Sequence, residues 1–399
     1  MRISTSQIFR AGLAGVMDQQ SQLARAQRQL VSGQRISTAA DDPAAAATAA
    51  RLDHRVNDLS QFERNISAAR ASLAVQDEAV SRVVDRLQRL REIAIAAESG
   101  ANSPAEHRSY AVEVQQIRDE ILEVANTSDN AGRYAFAGYQ SQTRPFSQVA
   151  GTVVYAGDNG TRALQVAPSR LMVTAEPGSQ VFEGVLPGNG AYRVGAVQVN
   201  TGSGVIRDQG PAALGAYAGS YEIRFTATDR FDVVDVASGT VLLADQPYAA
   251  RETIAFVGAR VAIEGQPQSG DVFSVAASSA TSLFVLVDEL HTALSGAASD
   301  APGQAQLSQS LSNSIGDLDR GLDQLLAVRA RLGARLSSLD SQESSNADLG
   351  LVTQQALSDL RDLDYAAAIT DFNRYLTGLQ AAQQSFARMQ EISLFSLLR

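Results

Sequence analysis

Few residues in this chain have the types and the spacing that catalysis or metal binding requires. The three histidines, His54, His107 and His291, lie far apart, and no two have the i, i+4 spacing of a metal pair on a helix. We expect each to be a solvated residue on a helix surface. The chain has no cysteine and all 33 basic residues are arginine, which excludes thiolate nucleophiles, Cys-ligated metals and catalytic lysines.

Three further motifs suggest chemistry but are better explained by local structure. Gly188-Asn189-Gly190, followed by Gly195, lacks the spacing of a phosphate-binding loop, so we predict a β-turn. The acidic segment 340–348 lacks the glycine and ligand positions of a calcium loop, so we predict a polar hinge between two helices. Asp41 and Asp42 precede a helix, where capping explains them. We therefore predict no catalytic residue, no cofactor and no metal; an enzyme with a carboxylate-only site in the middle of the chain is the remote alternative.

The composition indicates a folded, acidic protein of two or three domains. The chain has 399 residues, of which 45% are hydrophobic, enough to form a core. Its formal net charge of −10 opposes binding to nucleic acid. The longest aliphatic and aromatic run, Leu283 to Val287, is far shorter than the ~20 residues of a membrane span. The segment Met1 to Gln7 lacks the apolar region of a secretory signal, so we expect neither membrane insertion nor signal cleavage.

Apolar residues repeat at alternating steps of three and four in both end regions of the chain, which is typical of coiled-coil packing. We predict an α+β fold, in which a long coiled-coil or helical-bundle rod is built from both termini and a β-rich domain is inserted centrally. Residues 59–94, 104–128 and 305–340 are expected to form the core of the bundle. The inner stripes are Leu59, Phe62, Ile66, Ala69, Leu73, Gln76, Val80, Val83, Leu87, Leu90 and Ala94, and Leu311, Leu318, Leu325, Leu332 and Leu339.

The middle of the chain is rich in glycine, valine, threonine and tyrosine, which predicts strands. Segments 152–155 and 163–166 flank a Gly/Asn turn, so we predict that they form a hairpin. The glycine-rich stretch 185–215 predicts loops or short edge strands. Further strands are expected at 221–226 and 232–236, which form a second hairpin, and at 241–243 and 254–256.

Capping residues and glycines mark the boundaries between these regions. Ser103-Pro104-Ala105-Glu106 is a capping box with proline at the first helical position, and Asp42-Pro43 is the start of another helix. The predicted organisation is an N-terminal helix (1–42), a first rod segment (43–139), a β-rich domain (140–275), a returning rod segment (276–350) and a C-terminal helix (351–399).

Each terminal segment carries a single apolar stripe and has no third helix nearby in sequence to complete a core. Because an isolated helix pair is marginal in water, we expect these ends to order only when subunits assemble. Gln20 and Gln27 are expected at seam positions, where they set the register. The predicted assembly-interface residues are Phe9, Leu13, Val16, Leu23, Leu30, Ile369, Phe372, Leu376, Leu379, Phe386 and Met389.

Several motifs, in order along the chain, resemble the bacterial flagellin superfamily, and within it the hook–filament junction proteins. The likeness covers both helical ends and the borders of the β-rich domain. The N-terminal motif contains Ser32, Gly33, Arg35, Ile36, Asp41, Asp42 and Pro43. The complete set of matching segments is Met1–Thr5, Leu30–Ile36, Ala40–Ala45, Asn130–Gly138 with Pro145-Phe146, Ile263–Pro267 with Gly270–Phe273, and Ser393–Arg399.

This resemblance implies a structural subunit that joins hook to filament and templates flagellin polymerisation. Residues 1–42 and 351–399 would form an axial coiled coil, with the β-rich domain projecting outward. The subunit would be exported by the flagellar type III apparatus, through its uncleaved N-terminus, to the extracellular flagellum. The implied partners are other copies of the chain, a preceding hook-associated protein of the FlgK type, flagellin, and an export chaperone of the FlgN type on the C-terminal segment.

Two other functions stay open at this point. The first is flagellin, the bulk subunit of the filament, because the closing Ser396–Arg399 is equally typical of flagellins. The copy number per filament separates it from a junction protein. The second is a cytoplasmic coiled-coil adaptor with a β insert, which would be folded in solution with protected termini. Hydrogen exchange tests that alternative, because the export hypothesis requires unprotected ends in the free monomer.

Overall fold

The computed structural model describes residues 5–99, 102–129, 132–210 and 217–397. Its helices are α1 (Thr5–Ser32), α2 (Pro43–Ala97), α3 (Pro104–Ala125), α4 (Gly178–Phe182), α5 (Leu283–Ser295), α6 (Ala301–Arg361) and α7 (Tyr365–Leu397). Its strands are β1 (Phe146–Val149), β2 (Thr152–Tyr155), β3 (Ala163–Ala167), β4 (Arg170–Val173), β5 (Tyr192–Ala196), β6 (Val205–Asp208), β7 (Ser220–Ala227), β8 (Arg230–Asp235), β9 (Val241–Pro247), β10 (Thr253–Phe256), β11 (Ala259–Glu264) and β12 (Val272–Ala277).

The order of these elements confirms the predicted α+β class, with a β-rich middle between two helical regions. The chain divides into a terminal unit, Met1–Arg64 with Ser341–Arg399, and a central unit, Asn65–Asp340. Helices α2 and α6 contribute residues to both units. Among the described residues, no helix is sufficiently long and apolar to cross a membrane.

The central unit has the heptad core that the sequence predicts. Helix α2 buries two series of residues seven apart, and α6 buries its leucines every seven residues against them. Helices α3 and α5 add apolar faces to the same core. The buried series of α2 are Ile66, Leu73, Val80, Leu87 and Ala94, and Ala69, Gln76, Val83, Leu90 and Ala97.

Ion pairs show that α2 and α6 run antiparallel in the central unit. Arg70 contacts Asp340 at 2.7 Å, and Arg91 contacts Asp319 at 2.6 Å. As the residue number rises on α2, that of its partner falls on α6. Exposed pairs of this kind add little stability, so the buried leucines hold the helices together while the charges favour one register.

The predicted hinge at 340–348 is wrong, because α6 is helical throughout this segment. Residues 340–348 contain no proline or glycine that would break the helix. The polar residues of this segment fit into the helix. The Ser345 hydroxyl donates a hydrogen bond of 3.0 Å to the Ser341 carbonyl, and Asn346 is buried. The break comes at residues 362–364, so the final helix begins at Tyr365 and not at residue 351.

One predicted hairpin is also wrong, since β2 does not pair with β3. Strand β2 pairs with β1, and β3 pairs with β4, each across a two-residue turn. Ala150 and Gly151 both have positive φ, as a tight type I′ hairpin turn requires, and such a turn costs less closure entropy than the longer Gly/Asn loop. The predicted β7–β8 hairpin is confirmed, as are β9 and β10.

The remaining strands surround a second, separate core. The order β5-β12-β7-β8-β9 forms one antiparallel sheet, and β10-β11-β6 forms another. Tyr192, Phe225, Phe256 and Phe273 are among the residues buried between them. Strands β5 and β6 lie at sheet edges, as the glycine-rich stretch 185–215 predicts.

Polar side chains on one face of α6 satisfy main-chain groups near these edges. Asn313 donates to the Val194 carbonyl at 2.8 Å, and Gln309 accepts the Ile206 amide hydrogen at 2.7 Å. An open edge would expose unpaired main-chain groups, so this face protects the sheets. Its members, spaced by three or four residues, are Gln306, Gln309, Asn313, Asp317, Arg320 and Gln324.

One histidine departs from the predicted surface position. His107 is buried in the first turns of α3, where its Nε2 lies 3.1 Å from the Ala97 carbonyl. Its helix begins at the predicted capping box, in which Ser103 and Glu106 exchange hydrogen bonds. The imidazole therefore links the end of α2 to the start of α3.

Candidate functional site: the terminal helices and their joint

Helices α1 and α7 pack against each other in the terminal unit. Ala26 on α1 and Ala368 on α7 are buried, and small residues at such positions allow two helices to approach closely. At Gly378, a Cβ atom would lie 3.2 Å from Oε1 of Gln19, so glycine gives that amide room. Ala26, Ala368 and Gly378 are not among the predicted interface residues, because in an alanine-rich sequence a small side chain gives little apolar signal.

The predicted interface residues divide between the packed side and the solvent. Val16, Leu23, Leu30, Phe372, Leu379 and Phe386 are half-buried. Leu13, Ile369 and Leu376 are exposed. The side chains of Phe9 and Met389 lie outside the described residues.

Gln20 and Gln27, which are predicted at seam positions, do not lie in the packed stripe between α1 and α7. Gln20 and Gln27 are exposed, whereas Gln19, Leu23 and Ala26 are at least partly buried. The packed residues are thus Gln19 and Ala26, each one position before the predicted Gln20 and Gln27. A glutamine on the exposed side cannot set the α1–α7 register.

A second stripe of α1 faces solvent beside the packed one. Met17 is 61% exposed and Val31 is 84% exposed, both at heptad distance from Ala24. On α7, Tyr365, Ile369 and Leu376 are exposed in a similar row. Each terminal helix therefore has one apolar stripe for its intramolecular partner and a second that no described residue of the chain covers.

The motif residues 32–36 form a joint beside the break between α6 and α7. The Arg35 amide donates to the Arg361 carbonyl at 2.7 Å, and the Leu363 amide donates to the Gly33 carbonyl at 3.0 Å. This short antiparallel bridge holds together segments that are distant in sequence. It also satisfies a carbonyl at the C-terminus of α6, where helices leave such groups unpaired.

Side chains complete the joint. The Arg35 guanidinium donates to the Leu360 carbonyl at 2.8 Å, and Gln29 donates to the Arg35 carbonyl at 2.7 Å. Gly33 has φ +68°, a left-handed conformation that ends α1, and a Cβ there would lie 2.8 Å from the Tyr365 hydroxyl. Ser32 Oγ accepts from the Gln34 amide at 3.3 Å, and Ile36 is buried.

Asp41 organises the turn that follows. Its Oδ2 accepts hydrogen bonds from the amide and hydroxyl of Thr38, at 2.9 and 3.0 Å, and from the hydroxyl of Ser37 at 3.1 Å. The hydrogen bond from the Thr38 amide is the main cause that lowers the pKa of Asp41 below its ordinary value. The carboxylate thus acts as a structural acceptor of hydrogen bonds in this turn.

Asp42, Pro43 and Asp364 start the two helices that leave the joint. Asp42 Oδ1 accepts the Ala45 amide at 3.0 Å, with Pro43 as the first residue of α2, which confirms the predicted cap. Asp364 Oδ1 accepts the Ala366 amide at 2.9 Å at the start of α7. The same aspartate cap before an alanine run was visible in the sequence and would have located this break.

The central unit holds a cleft of about 790 Å³ beside β5, α5 and α6. Arg193 enters it and pairs with Glu289 and with Asp317, 2.7 Å away. Burial raises the pKa of Asp317 although Arg193 lies against it. Through these two ion pairs Arg193 joins β5 to α5 and α6. No group of His, Cys, Asp or Glu in the described part of the chain is arranged to hold a metal ion.

Known protein families match both helical ends of this chain, and one group of known proteins matches its whole length. Residues 3–141 match the bacterial flagellin N-terminal helical region, and residues 315–398 match the C-terminal helical region. Flagellar hook-associated protein 3 of Escherichia coli is 26% identical over 398 residues, covering 100% of this chain and 99% of its own.

Solved structures show the same relationship. The crystal structure of Xanthomonas campestris FlgL in space group H3 has 30% sequence identity and a TM-score of 0.67, over 72% of this chain and 93% of that one. The flagellar junction protein FlgL from Legionella pneumophila has 28% identity and a TM-score of 0.72, over 79% and 99%. Flagellin 1 of Proteus mirabilis is 32% identical but over only 31% of this chain.

Proposed function

The chain belongs to the family of flagellar hook-associated protein 3 (FlgL), the hook–filament junction proteins of the flagellin superfamily, and we propose that its terminal helices carry out the joining. It is a structural subunit of the bacterial flagellum. Similarity over the full length is to the junction proteins, whereas similarity to flagellins is confined to part of the chain. That difference favours the junction role over the filament role.

The observation that supports the mechanism is the exposed stripe on each terminal helix. In α1 the packed stripe meets α7, while Leu13, Met17 and Val31 stay exposed. A stripe of this kind is costly to leave in water, and neighbouring subunits in an assembly would cover it. The same helix can therefore bind its own chain and a neighbour at once.

This proposal extends to the partners and the route. The stripes would meet other copies of the chain within the junction and a hook-associated protein and flagellin on its two sides. An export chaperone would cover the C-terminal stripe before assembly, and export through the flagellar type III apparatus would bring the chain to the flagellum. The exposed members of the predicted interface set, Leu13, Ile369 and Leu376, are assigned to these contacts.

A deletion of the gene in its host, examined by electron microscopy, tests the role. Bare hooks with flagellin shed into the medium are expected, and the wild-type gene restores filaments. Filaments that still grow without the gene would contradict the junction function.

Variants test the assignment of the stripe within the complemented strain. Met17→Glu and Ile369→Glu each place a charge in an exposed stripe, so we expect at least a tenfold loss of filamented cells. Ala11→Glu adds the same charge at an exposed position of α1 outside both stripes, and its filaments should be normal. Equal behaviour of Met17→Glu and Ala11→Glu would refute the assignment while leaving the junction function intact.

A further inference from the structure

Two exposed faces in the terminal unit carry opposite charge. The outer stripe of α1 contains Arg10, Leu13, Met17, Ala24 and Val31. Helix α6 has an outer face, opposite its buried Asn346, Thr353 and Leu357. That outer face contains Asp348, Leu351, Val352, Gln355 and Asp359.

Both faces combine exposed apolar side chains with flanking charges. Leu351 is 69% exposed and Val352 is 67% exposed. Helix α1 carries three arginines and one acidic residue, Asp18. From residue 341 to its end, α6 carries three acidic residues and one arginine, Arg361. Apolar centres with complementary charges at their borders are the features by which helices select a partner and a register.

The spacing of the charges matches when the two helices run antiparallel. Arg10 lies seven residues before Met17, and Asp359 lies seven residues after Val352. If Met17 packs on Val352, two helical turns place Arg10 opposite Asp359. Within the described part of the chain, neither Arg10 nor Asp359 takes part in an ion pair; Asp359 accepts only the Gln355 amide, at 2.8 Å.

We propose that the outer stripe of α1 in one copy binds the outer face of α6 in a second copy, antiparallel, with Met17 on Val352 and Arg10 paired with Asp359. The second copy is the occupant because both faces are exposed within a single chain and their charges are complementary. A contact between different faces of two copies continues from subunit to subunit, as a ring of copies requires. The inference rests on the proposed assembly role and names a contact within it.

Charge reversal in the complemented deletion strain tests the pairing. Arg10→Glu alone and Asp359→Arg alone should each reduce the filamented fraction at least tenfold, and the double variant should restore at least half of it. Arg28→Glu with Asp359→Arg is the mismatched control and should not recover. No effect of the single reversals, or no recovery in the double variant, would overturn the pairing. Recovery of Arg10→Glu by Asp348→Arg instead would overturn the antiparallel register.

Cross-linking gives a second readout that does not depend on motility. Because the chain has no cysteine, Met17→Cys with Val352→Cys introduces only these two thiols. Oxidation of isolated flagella from this strain should give disulfide-linked multimers. The control places thiols on the same helices but off the faces, with Asp18→Cys and Ala347→Cys, both exposed, and should stay monomeric.

The two experiments also separate this inference from the function on which it rests. If the wild-type chain fails to restore filaments in the deletion strain, the junction function itself is wrong. If wild-type filaments form but the Met17→Cys/Val352→Cys chain gives no more multimer than the control, only the pairing of α1 with α6 is wrong.

Discussion

Arg35 donates a hydrogen bond of 2.8 Å to the carbonyl of Leu360, a residue 325 positions later in the chain. The contact lies in the terminal unit, where the end of α1 meets the end of α6. The charged guanidinium satisfies a carbonyl that the helix itself leaves unpaired. The motif around Arg35 is therefore a joint between the two ends of the chain, in addition to any role in assembly.

Replacing Arg35 by alanine should loosen this joint. The variant loses the bonds to Leu360 and keeps the main-chain bridge, so we expect a loss of about 1 kcal/mol in local stability. Hydrogen exchange at the Leu363 amide, which donates to Gly33, measures this directly. Arg28→Ala removes an exposed arginine outside the joint and should leave that exchange rate unchanged; an equal effect in both variants would contradict the assignment.

Gly33→Ala should destabilise the terminal unit more than an ordinary glycine substitution. A left-handed conformation costs an L-residue roughly 1–2 kcal/mol, and the new Cβ would meet the Tyr365 hydroxyl at 2.8 Å. Thermal unfolding of the two variants gives the comparison. Gly15→Ala, within α1 and with nothing within 4 Å, should instead be neutral or stabilising.

A second substitution isolates the steric part of this effect. Tyr365→Phe removes the hydroxyl that a Cβ at residue 33 would meet. Gly33→Ala with Tyr365→Phe should therefore recover part of the lost stability. The loss that persists in the double variant measures the cost of the left-handed backbone conformation at residue 33. No recovery would mean that the hydroxyl moves away without cost.

Gln76→Leu should be strongly destabilising although it places an apolar residue in an apolar core. The Gln76 amide donates to the Ala135 and Glu176 carbonyls at 2.7 and 2.9 Å and accepts the Glu176 amide at 2.9 Å. Leucine leaves three buried main-chain groups unpaired, at about 1–3 kcal/mol each. Chemical denaturation provides the measurement, with Gln88→Leu, an exposed position of the same helix, as the control that should change little.

The Asp41 carboxylate should make the joint sensitive to acid. Its pKa is lower in the folded chain than its ordinary value of 3.8, chiefly through the Thr38 amide. Its stabilising contribution is therefore fully present above pH 3.8 and is lost as the pH falls through the lower folded value. Hydrogen exchange or unfolding of Asp41→Asn should show a deficit at pH 7 that narrows below pH 3.8.

A neighbouring aspartate provides the control for that experiment. Asp42 caps α2 through the Ala45 amide, and asparagine is an equally good N-cap. Asp42→Asn should therefore keep its stability at pH 7. If it loses as much as Asp41→Asn, the effect reflects the charge of the segment and not the hydrogen bonds to Thr38.

The sequence by itself determined the helical regions, the buried heptads of α2 and α6 and the family motifs, because periodicity and capping are local properties. The heptads of α2 and α6 predicted the residues that are buried, and Ser103 with Glu106 predicted the start of α3. The β7–β8 hairpin was predicted for the same reason, since a short turn joins neighbouring strands.

Only the tertiary structure decided which segments meet. The pairing of Arg35 with Leu360, the burial of His107 and the bonds from α6 to β5 and β6 all join residues whose contact no local pattern encodes. The break at 362–364 was missed because polar composition at 340–348 resembles a hinge, yet packing against a partner helix stabilises a helix through such residues. Which stripe of α1 faces α7 and which faces solvent is likewise set by the packed partner, since the sequence contains both.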